Sequence, residues 1–346
     1  MTDTKQQLRI EISIAERIEV MKNKKTSIVV IGGGTGLSTM LRGLKNYPFD
    51  ITAIVTVADD GGSSGRLRDD YDIPPPGDIR NVIAALSDTE PLVEQMFQYR
   101  FSQSVDLGGH SLGNLMLTAL TDITGDFSHA IAEMSKVLKV HGKVIPAANK
   151  KITLHAELID GTIIEGESKI PKSHLPLKRV FLVPNNVKPL PEAIRAIRKA
   201  DFILVGPGSL YTSIIPNLLV KEIGDALVNA KGRRIYICNL MTQKGETIHY
   251  RATDHVQAIY DHVGKPCLDA ILVNDIELPL PIKENYKEEN AEPVMFDIEK
   301  LESMGLEVIK KEIATIQSGV VRHESNKIAQ WLCDYASSYN IKQTKL

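Results

Sequence analysis

Cysteine, charge imbalance and long apolar runs are all scarce in this sequence of 346 residues. Its three cysteines, Cys238, Cys267 and Cys333, are far apart and form no CxxC pair, which argues against a zinc knuckle or a disulfide framework. The net charge of −2 leaves no basic excess, so we expect no nucleic-acid partner. No apolar run approaches the ~18 residues of a membrane span, and the start MTDTKQQLRIEI is too charged for a signal peptide. We therefore expect a cytoplasmic protein without a membrane span.

The composition is that of an ordinary globular protein, with 43% hydrophobic and 24% charged residues. From position 27 onward, strand-like runs rich in β-branched residues alternate with helical segments, and SIVVI, ITAIVTVA, DFILVG, RIYICN and DAILVN each precede a polar loop. This alternation predicts an α/β fold, with a mostly parallel sheet between two helical layers as in Rossmann-like proteins. Two alternating runs that flank Asp160-Gly161 predict a small antiparallel β-hairpin insertion.

The chain is expected to divide into three parts. Residues 1–25 carry apolar side chains at helical spacing between charged ones, which predicts an amphipathic N-terminal helical extension. Residues 26–335 are expected to form one α/β domain, whose last helix begins near Ser325. Residues 336–346 are expected to form a C-terminal tail.

The loops that follow the predicted strands are the candidate site, because ligands of open parallel sheets bind beyond the carboxyl ends of the strands. The first such loop contains Gly33, Gly34, Thr35 and Gly36 and opens a helix. Glycines let backbone N–H groups approach a phosphate, and the helix N-terminus favours an anion there. The dinucleotide fingerprint GxGxxG is not matched, and a tight turn without a ligand is the alternative.

The second predicted strand ends in Asp59 and Asp60, followed by a loop with Ser63 and Ser64. An acidic residue at this place holds a ribose in Rossmann-like sites. Alternatively, the pair holds Mg²⁺ beside a diphosphate, with Asp60 as the metal ligand. Because two phosphate-suited loops follow adjacent strands, we favour a ligand site over a plain loop.

Two further loops carry candidate polar groups. In PPPGDIRN, Asp78 is expected to cap a helix and Arg80 to face a phosphate or a base, with a surface arginine as the alternative. In GGHSLGN, the GxSxG frame of a serine hydrolase is missing. His110 and Asn114 are therefore expected to orient a polar ligand.

Two more loops lie on the same predicted rim. GPGSLYTS offers Gly208 and Ser209 as a second anion cradle, and Asn239 opens the polar loop after the next strand. Together these loops indicate a bound nucleotide with two phosphates.

Six segments resemble the gluconeogenesis factor family (YvcK-like proteins): IGGGTGLSTMLRGLK, VTVADDGGSSGRLR, IPPPGDIRN, GHSLGNL, GPGSLYTS and ICNLMTQKGET. The resemblance runs from about Ser27 to Trp331 and does not include the N-terminal extension. That family is similar in fold to CofD, the 2-phospho-L-lactate transferases of deazaflavin coenzyme synthesis. The resemblance implies a CofD-like domain that binds UDP-sugars such as UDP-N-acetylglucosamine or UDP-glucose. It also implies a cytoplasmic factor that supports growth and normal cell shape on gluconeogenic carbon sources.

The resemblance leaves the reaction open. No catalytic residue is assigned, and no cofactor is expected beyond the UDP-sugar ligand and Mg²⁺ at Asp60. The alternative function is a CofD-like transferase that moves a phosphate-linked group from a nucleotide diphosphate to an acceptor. A dinucleotide-dependent oxidoreductase is disfavoured by the broken fingerprint.

Two contacts near the C-terminus are implied by the resemblance, since Tyr286 and Arg322 align with family positions implicated in UDP-sugar contact. The guanidinium of Arg322 suits a diphosphate, and Tyr286 offers a flat face for uracil and a hydroxyl for the sugar. The alternatives are a salt bridge from Arg322 to Glu324 and a half-buried anchoring role for Tyr286. The expected partners are the UDP-sugar, cell-wall-synthesis proteins and further copies of the chain in a homo-oligomer.

Overall fold

The computed structural model describes residues 25–89, 91–103, 106–288 and 290–343. Apart from Lys25, the predicted N-terminal extension lies outside the described residues. Within them, no helix is both long and apolar enough to cross a membrane.

A seven-stranded sheet in which all paired neighbours are parallel forms the centre of the domain. The strands of the protein are β1 Thr26–Gly32, β2 Phe49–Val55, β3 Lys143–Pro146, β4 Thr153–Leu158, β5 Ile163–Glu165, β6 Leu177–Val183, β7 Phe202–Val205, β8 Arg233–Ile237, β9 Ala270–Asn274, β10 Glu307–Lys311, β11 Ala314–Gln317 and β12 Val320–His323. The order in the central sheet is β10-β9-β8-β7-β1-β2-β3. The chain thus adds strands on one side of β1 first and on the other side later, so the strand order reverses between β1 and β7.

Helices flank this sheet, which confirms the predicted α/β, Rossmann-like architecture. They are α1 Gly34–Leu44, α2 Gly62–Tyr71, α3 Gly77–Leu86, α4 Pro91–Gln98, α5 Leu112–Thr124, α6 Phe127–Val137, α7 Pro191–Lys199, α8 Ile215–Leu218, α9 Lys221–Val228, α10 Ala252–Val263, α11 Leu280–Glu288, α12 Ile298–Ser303 and α13 Ser325–Gln343. Short irregular helices cover Glu167–Lys172 (3-10) and Leu210–Ile214 (π). In α1, Leu37, Leu41 and Leu44 recur at helical spacing and are fully buried, and the helix packs on α3 and α13.

The hairpin predicted around Asp160-Gly161 is present, since β4 and β5 pair in antiparallel register. It belongs to a larger unit, because β6 pairs with the other side of β4 to give a three-stranded antiparallel sheet. The sequence analysis did not predict β6, in which Lys178 and Arg179 interrupt the strand-like alternation. A second short antiparallel pair, β11 with β12, was also not predicted.

The last helix begins at Ser325, as predicted, and its buried face includes Ile328 and Leu332. It continues to Gln343 and therefore passes position 335, where the sequence analysis placed the end of the domain. Ala336 is buried, and no Gly or Pro lies between Ser325 and Gln343 to end the helix earlier.

Candidate ligand-binding site

A cleft of about 910 Å³ opens beyond the carboxyl ends of β1 and β7, where the strand order reverses. The loops after these two strands diverge to opposite faces of an open α/β sheet, which leaves a crevice for a ligand. Residues 33–36 line the cleft from the β1 side and residues 207–209 from the β7 side. The 3-10 helix Glu167–Lys172, which connects β5 and β6, and the segment around α11 and β12 supply the outer walls.

Several residues predicted from the sequence do line this cleft. They are Gly33, Gly34, Thr35, Gly36, Gly208, Ser209, Asn239 and Tyr286.

The turn between β1 and α1 depends on glycine for space. A Cβ atom on Gly33 would lie 2.4 Å from Thr56 Cγ2 and 2.7 Å from Asp78 Oδ2. Gly34 has a φ of +65°, in the left-handed region that favours glycine. The backbone N–H of Gly34 donates a hydrogen bond of 2.8 Å to Asp78 Oδ2. An acidic side chain from the neighbouring helix α3 is therefore hydrogen-bonded to the start of α1.

This contact corrects the role predicted for Asp78. The residue at the N-cap of α3 is Pro76, and Asp78 lies in the first turn with its carboxylate directed to α1. Burial and, to a smaller extent, the charge of Asp59 together raise the pKa of Asp78 to about 7, although the hydrogen bond from Gly34 acts in the opposite direction.

A second carboxyl group, that of Glu246, accepts hydrogen bonds at the start of the short helix Leu210–Ile214 that follows β7. Glu246 is buried, and it accepts hydrogen bonds from the Tyr211 N–H at 3.2 Å and from Thr212 Oγ1 at 3.3 Å. Burial raises the pKa of Glu246 to about 7. On the opposite wall, burial and the charge of Asp59 raise the pKa of the half-buried Glu167 to about 8. Three carboxyl groups around the cleft thus change charge near neutral pH.

Asp59 and Asp60 lie beside the cleft and are not among the residues that line it. Asp59 Oδ1 accepts from the Gly61 N–H at 2.8 Å, and Asp60 Oδ1 accepts from the Ser168 N–H at 2.8 Å. The second contact ties the β2 loop to the inserted sheet. No group of three or more His, Cys, Asp or Glu side chains within the described ranges could hold a metal ion by itself.

Ser63 and Asn114 form a buried cluster with His110 behind the cleft. Ser63 Oγ lies 3.0 Å from His110 Nδ1 and accepts a hydrogen bond of 3.0 Å from Asn114 Nδ2. Burial lowers the pKa of His110, with a further lowering by the charge of Arg66. The cluster joins the start of α2 to the start of α5, so these side chains position helices.

Ser64 and Arg80 are also buried and do not line the cleft. A Cβ atom on Gly77 would lie 2.2 Å from Ser64 Oγ, so this hydroxyl packs against the start of α3. Arg80 donates to Gln98 Oε1 on α4 and, at 2.7 Å, to Asn81 Oδ1. Burial lowers the pKa of Arg80 to about 10.

Tyr286 and Arg322 differ in their relation to the cleft. The hydroxyl of Tyr286 accepts a hydrogen bond of 2.8 Å from the Val321 N–H, which joins α11 to β12. Val321 and His323 line the cleft, whereas Arg322 between them is exposed and does not. In the described part of the chain, Arg322 forms no ion pair with Glu324.

Lys244 is the one Lys or Arg among the described residues that line the cleft. Its loop is held by two amide side chains: Asn239 Nδ2 donates to the Gly208 carbonyl at 2.8 Å, and Gln243 Nε2 donates to Ser209 Oγ at 2.9 Å. The sequence analysis singled out this loop but not Lys244. The available signal was a lone cation in a polar loop directly after a buried strand.

Comparison with known proteins identifies the family. The family model described as 2-phospho-L-lactate transferase CofD matches residues 28–314. The gluconeogenesis factor of Bacillus subtilis is 60% identical over 311 residues, covering 90% of this chain and 98% of the relative, and that of Halalkalibacterium halodurans is 57% identical over 307 residues, covering 89% and 95%. A crystal structure of a UPF0052 family protein from Bacillus halodurans matches with a TM-score of 0.87 and 56% identity, covering 90% of this chain and 99% of that one. The chain belongs to the CofD family and, within it, to the gluconeogenesis factors.

Proposed function

We propose that the protein is a cytoplasmic regulator that binds a UDP-sugar, UDP-N-acetylglucosamine or UDP-glucose. In this role it supports growth and normal cell shape on gluconeogenic carbon sources. The observation that carries the proposal is the cleft at the strand reversal, with glycine loops after both β1 and β7. Its volume of about 910 Å³ suits a ligand of this size, since small-molecule sites usually measure ~300–1,000 Å³.

The glycine loops and Lys244 would receive the diphosphate. Backbone N–H groups near Gly34 and Gly208 would face its oxygens, and the Lys244 ammonium would offset its charge. The acidic residues Glu167 and Glu246 also line the cleft, so the charge of Lys244 would have to offset their repulsion of the phosphates.

Tyr286 and Gln243 would contact the rest of the ligand. The Tyr286 hydroxyl accepts from Val321 and retains its own proton, which it would donate to a sugar oxygen. The Gln243 Oε1 atom is buried in the cleft wall without a hydrogen-bond partner in the described part of the chain. Because an unpaired buried acceptor is costly, a ligand donor such as a sugar hydroxyl or the uracil N–H suits this position.

Asp59 and Asp60 would hold Mg²⁺ beside the diphosphate. Their Oδ1 atoms accept backbone hydrogen bonds, and each residue retains a second carboxylate oxygen. Mg²⁺ commonly takes one or two carboxylates and completes its coordination with phosphate oxygens and water, which fits this pair. When bound, the ion would neutralise phosphate charge.

Calorimetric titration with UDP-N-acetylglucosamine, UDP-glucose, GDP and NAD, with and without EDTA, tests the proposal. We expect a UDP-sugar to bind most tightly, and mass spectrometry after overnight incubation to recover it unchanged. Absence of UDP-sugar binding, or tighter binding of NAD, would contradict it.

A CofD-like transferase is the second candidate function. Asp59, Asp60 and Asp78 all lie close enough to Glu167 to raise its pKa. Such an acidic group beside a phosphate cradle suits transfer of a phosphate-linked group from a nucleotide diphosphate. A new phosphate-containing product in the same incubations, dependent on Mg²⁺ and an added acceptor, would favour this function over the regulator.

A further inference from the structure

A chain of hydrogen bonds runs from the interior of the protein to the wall of the cleft. His255 on α10 and Tyr236 on β8 are both fully buried, and His255 Nδ1 lies 3.0 Å from the Tyr236 hydroxyl. The same hydroxyl lies 2.9 Å from Asn239 Oδ1, and Asn239 Nδ2 donates to the Gly208 carbonyl at 2.8 Å. Asn239 and Gly208 line the cleft, and the other two residues do not.

Only one arrangement of protons satisfies every bond of this chain. Since the Asn239 amide nitrogen donates to a carbonyl, the Asn239 oxygen can only accept. The Tyr236 hydroxyl therefore gives its single proton to Asn239, and His255 Nδ1 must supply the proton for the remaining bond. His255 Nε2 is then a buried acceptor without a partner among the described residues. Burial lowers the pKa of His255 to about 3, so the ring is neutral at physiological pH.

The last bond of the chain holds the loop after β7 by a carbonyl group. Among the described residues, no group accepts from the backbone N–H of Gly208 or of Ser209. The loop has little room to move, because a Cβ atom on Gly208 would lie 3.1 Å from Ser213 Cβ and 3.2 Å from the Gly33 carbonyl oxygen. Two unpaired N–H donors therefore lie next to the turn after β1, and phosphate oxygens bind such donors well.

We propose that His255 is a positioning residue of the cleft, which acts through Tyr236 and Asn239 on the loop after β7. It holds this loop in the conformation that receives the diphosphate of a UDP-sugar, so the inference rests on the function proposed above. A loop that is already ordered loses less conformational entropy when a ligand binds, and the chain thereby raises affinity without contacting the ligand. A purely packing role would not require a particular tautomer, since the stacking of the His255 and Tyr236 rings does not depend on it.

Tyr236→Phe and Tyr250→Phe are a matched pair of variants for calorimetric titration with UDP-N-acetylglucosamine. Each keeps the ring and removes one hydroxyl that bonds inside the protein; the Tyr250 hydroxyl bonds to that of Tyr211 at 2.7 Å. Both should lower the Tm, but only Tyr236→Phe should weaken binding, by about fivefold or more. In an Asn239→Ala background, Tyr236→Phe should have no further effect on affinity. Equal weakening by the two tyrosine variants, or additive losses in the double variant, would overturn the proposal.

His255 itself is tested by two substitutions. His255→Phe fills the space of the ring but removes the Nδ1 donor, so it should weaken binding as much as Tyr236→Phe does. His255→Asn replaces the donor with an amide nitrogen and should recover part of the affinity. Wild-type affinity in His255→Phe would contradict a positioning role.

Nuclear magnetic resonance of the full chain without ligand separates this proposal from the proposed function. The nitrogen shifts of His255 should show a neutral ring with Nδ1 protonated. The order parameters of the Gly208 and Ser209 amides should fall in Tyr236→Phe and stay at wild-type values in Tyr250→Phe. If these results hold while wild-type protein binds no UDP-sugar, the proposed function fails and the hold on the loop stands. An Nε2-protonated ring, or unchanged order parameters in Tyr236→Phe, would overturn the positioning role.

Discussion

The Asp78 carboxylate accepts a hydrogen bond from the Gly34 N–H at 2.8 Å, although 44 positions separate the two residues in the chain. The helix start that was predicted to receive a phosphate therefore already carries an internal anion. Glu246 has the same relation to the helix start after β7. A diphosphate bound at these helix starts, as proposed, would lie close to both carboxylates, so we expect its binding to be linked to their protonation.

We expect the affinity for UDP-N-acetylglucosamine to rise as the pH falls from 8 to 6. The pKa values of Asp78 and Glu246 are raised to about 7 and that of Glu167 to about 8, so the carboxylates repel a diphosphate at pH 8 and are largely neutral at pH 6. Titration calorimetry in two buffers of different ionisation enthalpy should show proton uptake on binding.

Glu167→Gln provides the control for this pH dependence. The variant should bind more tightly than wild type at pH 8 and nearly equally at pH 6. An affinity that is constant over this range, or that rises with pH, would contradict the expectation.

Replacing Glu246 with glutamine should change how stability depends on pH. The folded-state pKa of Glu246 is raised from 4.5 to about 7, so its contribution is fully present below pH 4.5 and is lost as the pH rises through 7. The pKa difference corresponds to about 3 kcal/mol at most. Since glutamine does not ionise, the Tm of Glu246→Gln relative to wild type should increase by several degrees between pH 5 and 8. A Tm difference that does not vary with pH would argue against a buried, titrating carboxyl.

Lys244→Ala should weaken UDP-N-acetylglucosamine binding about tenfold or more, because a charge-assisted contact to phosphate is worth roughly 1.5–3 kcal/mol. Lys231→Ala is the matched control, an exposed lysine before β8 that does not line the cleft. Arg322→Ala is measured alongside it. If Arg322 also contacts the diphosphate, this variant should lose a similar amount of UDP-N-acetylglucosamine affinity while the Tm of the ligand-free protein stays unchanged. Unchanged affinity in Lys244→Ala would show that the phosphates lie elsewhere.

Gly33 and Gly36 of the first loop should differ in their tolerance of alanine. A Cβ on Gly33 would lie 2.4 Å from Thr56 Cγ2, whereas one on Gly36 meets the backbone of the Pro207–Gly208 segment at 3.3 Å. Gly33→Ala should therefore displace Asp78 and lower both Tm and nucleotide affinity, and Gly36→Ala should do so less. Equal effects in thermal denaturation and binding assays would contradict this ranking.

Asp60→Asn tests the metal at the β2 loop. Asparagine retains an oxygen that can accept from the Ser168 N–H, so the fold should persist while the carboxylate charge is lost. We expect weaker nucleotide binding in Mg²⁺ and little further change on adding EDTA. If the variant binds like wild type with and without EDTA, Asp60 serves only to anchor the inserted sheet.

The sequence by itself determined the α/β fold and the position of the candidate cleft. Both the fold and the cleft could be predicted from local patterns. Runs of β-branched residues indicate buried strands, glycine-rich loops follow β1 and β7, and Asp160-Gly161 indicates a hairpin. Parallel strands bring the loops that follow them to one edge of the sheet, so the approach of the Gly36 turn to Gly208 could be predicted without coordinates. Strand β6 was missed because its charged residues obscure the alternation on which such predictions depend.

Tertiary structure alone decided which side chains face the cleft. Ser63 and Asn114 turned inward to His110, and Asp78 crossed to another helix, because each side chain bonds to whatever group long-range packing places within about 3 Å. Arg80 is buried beside α4, and Lys244 rather than Arg322 lines the cleft. Sequence periodicity assigns a residue to the end of a strand or to a helix turn, but its partner comes from an element tens of residues away, and only packing determines that distance.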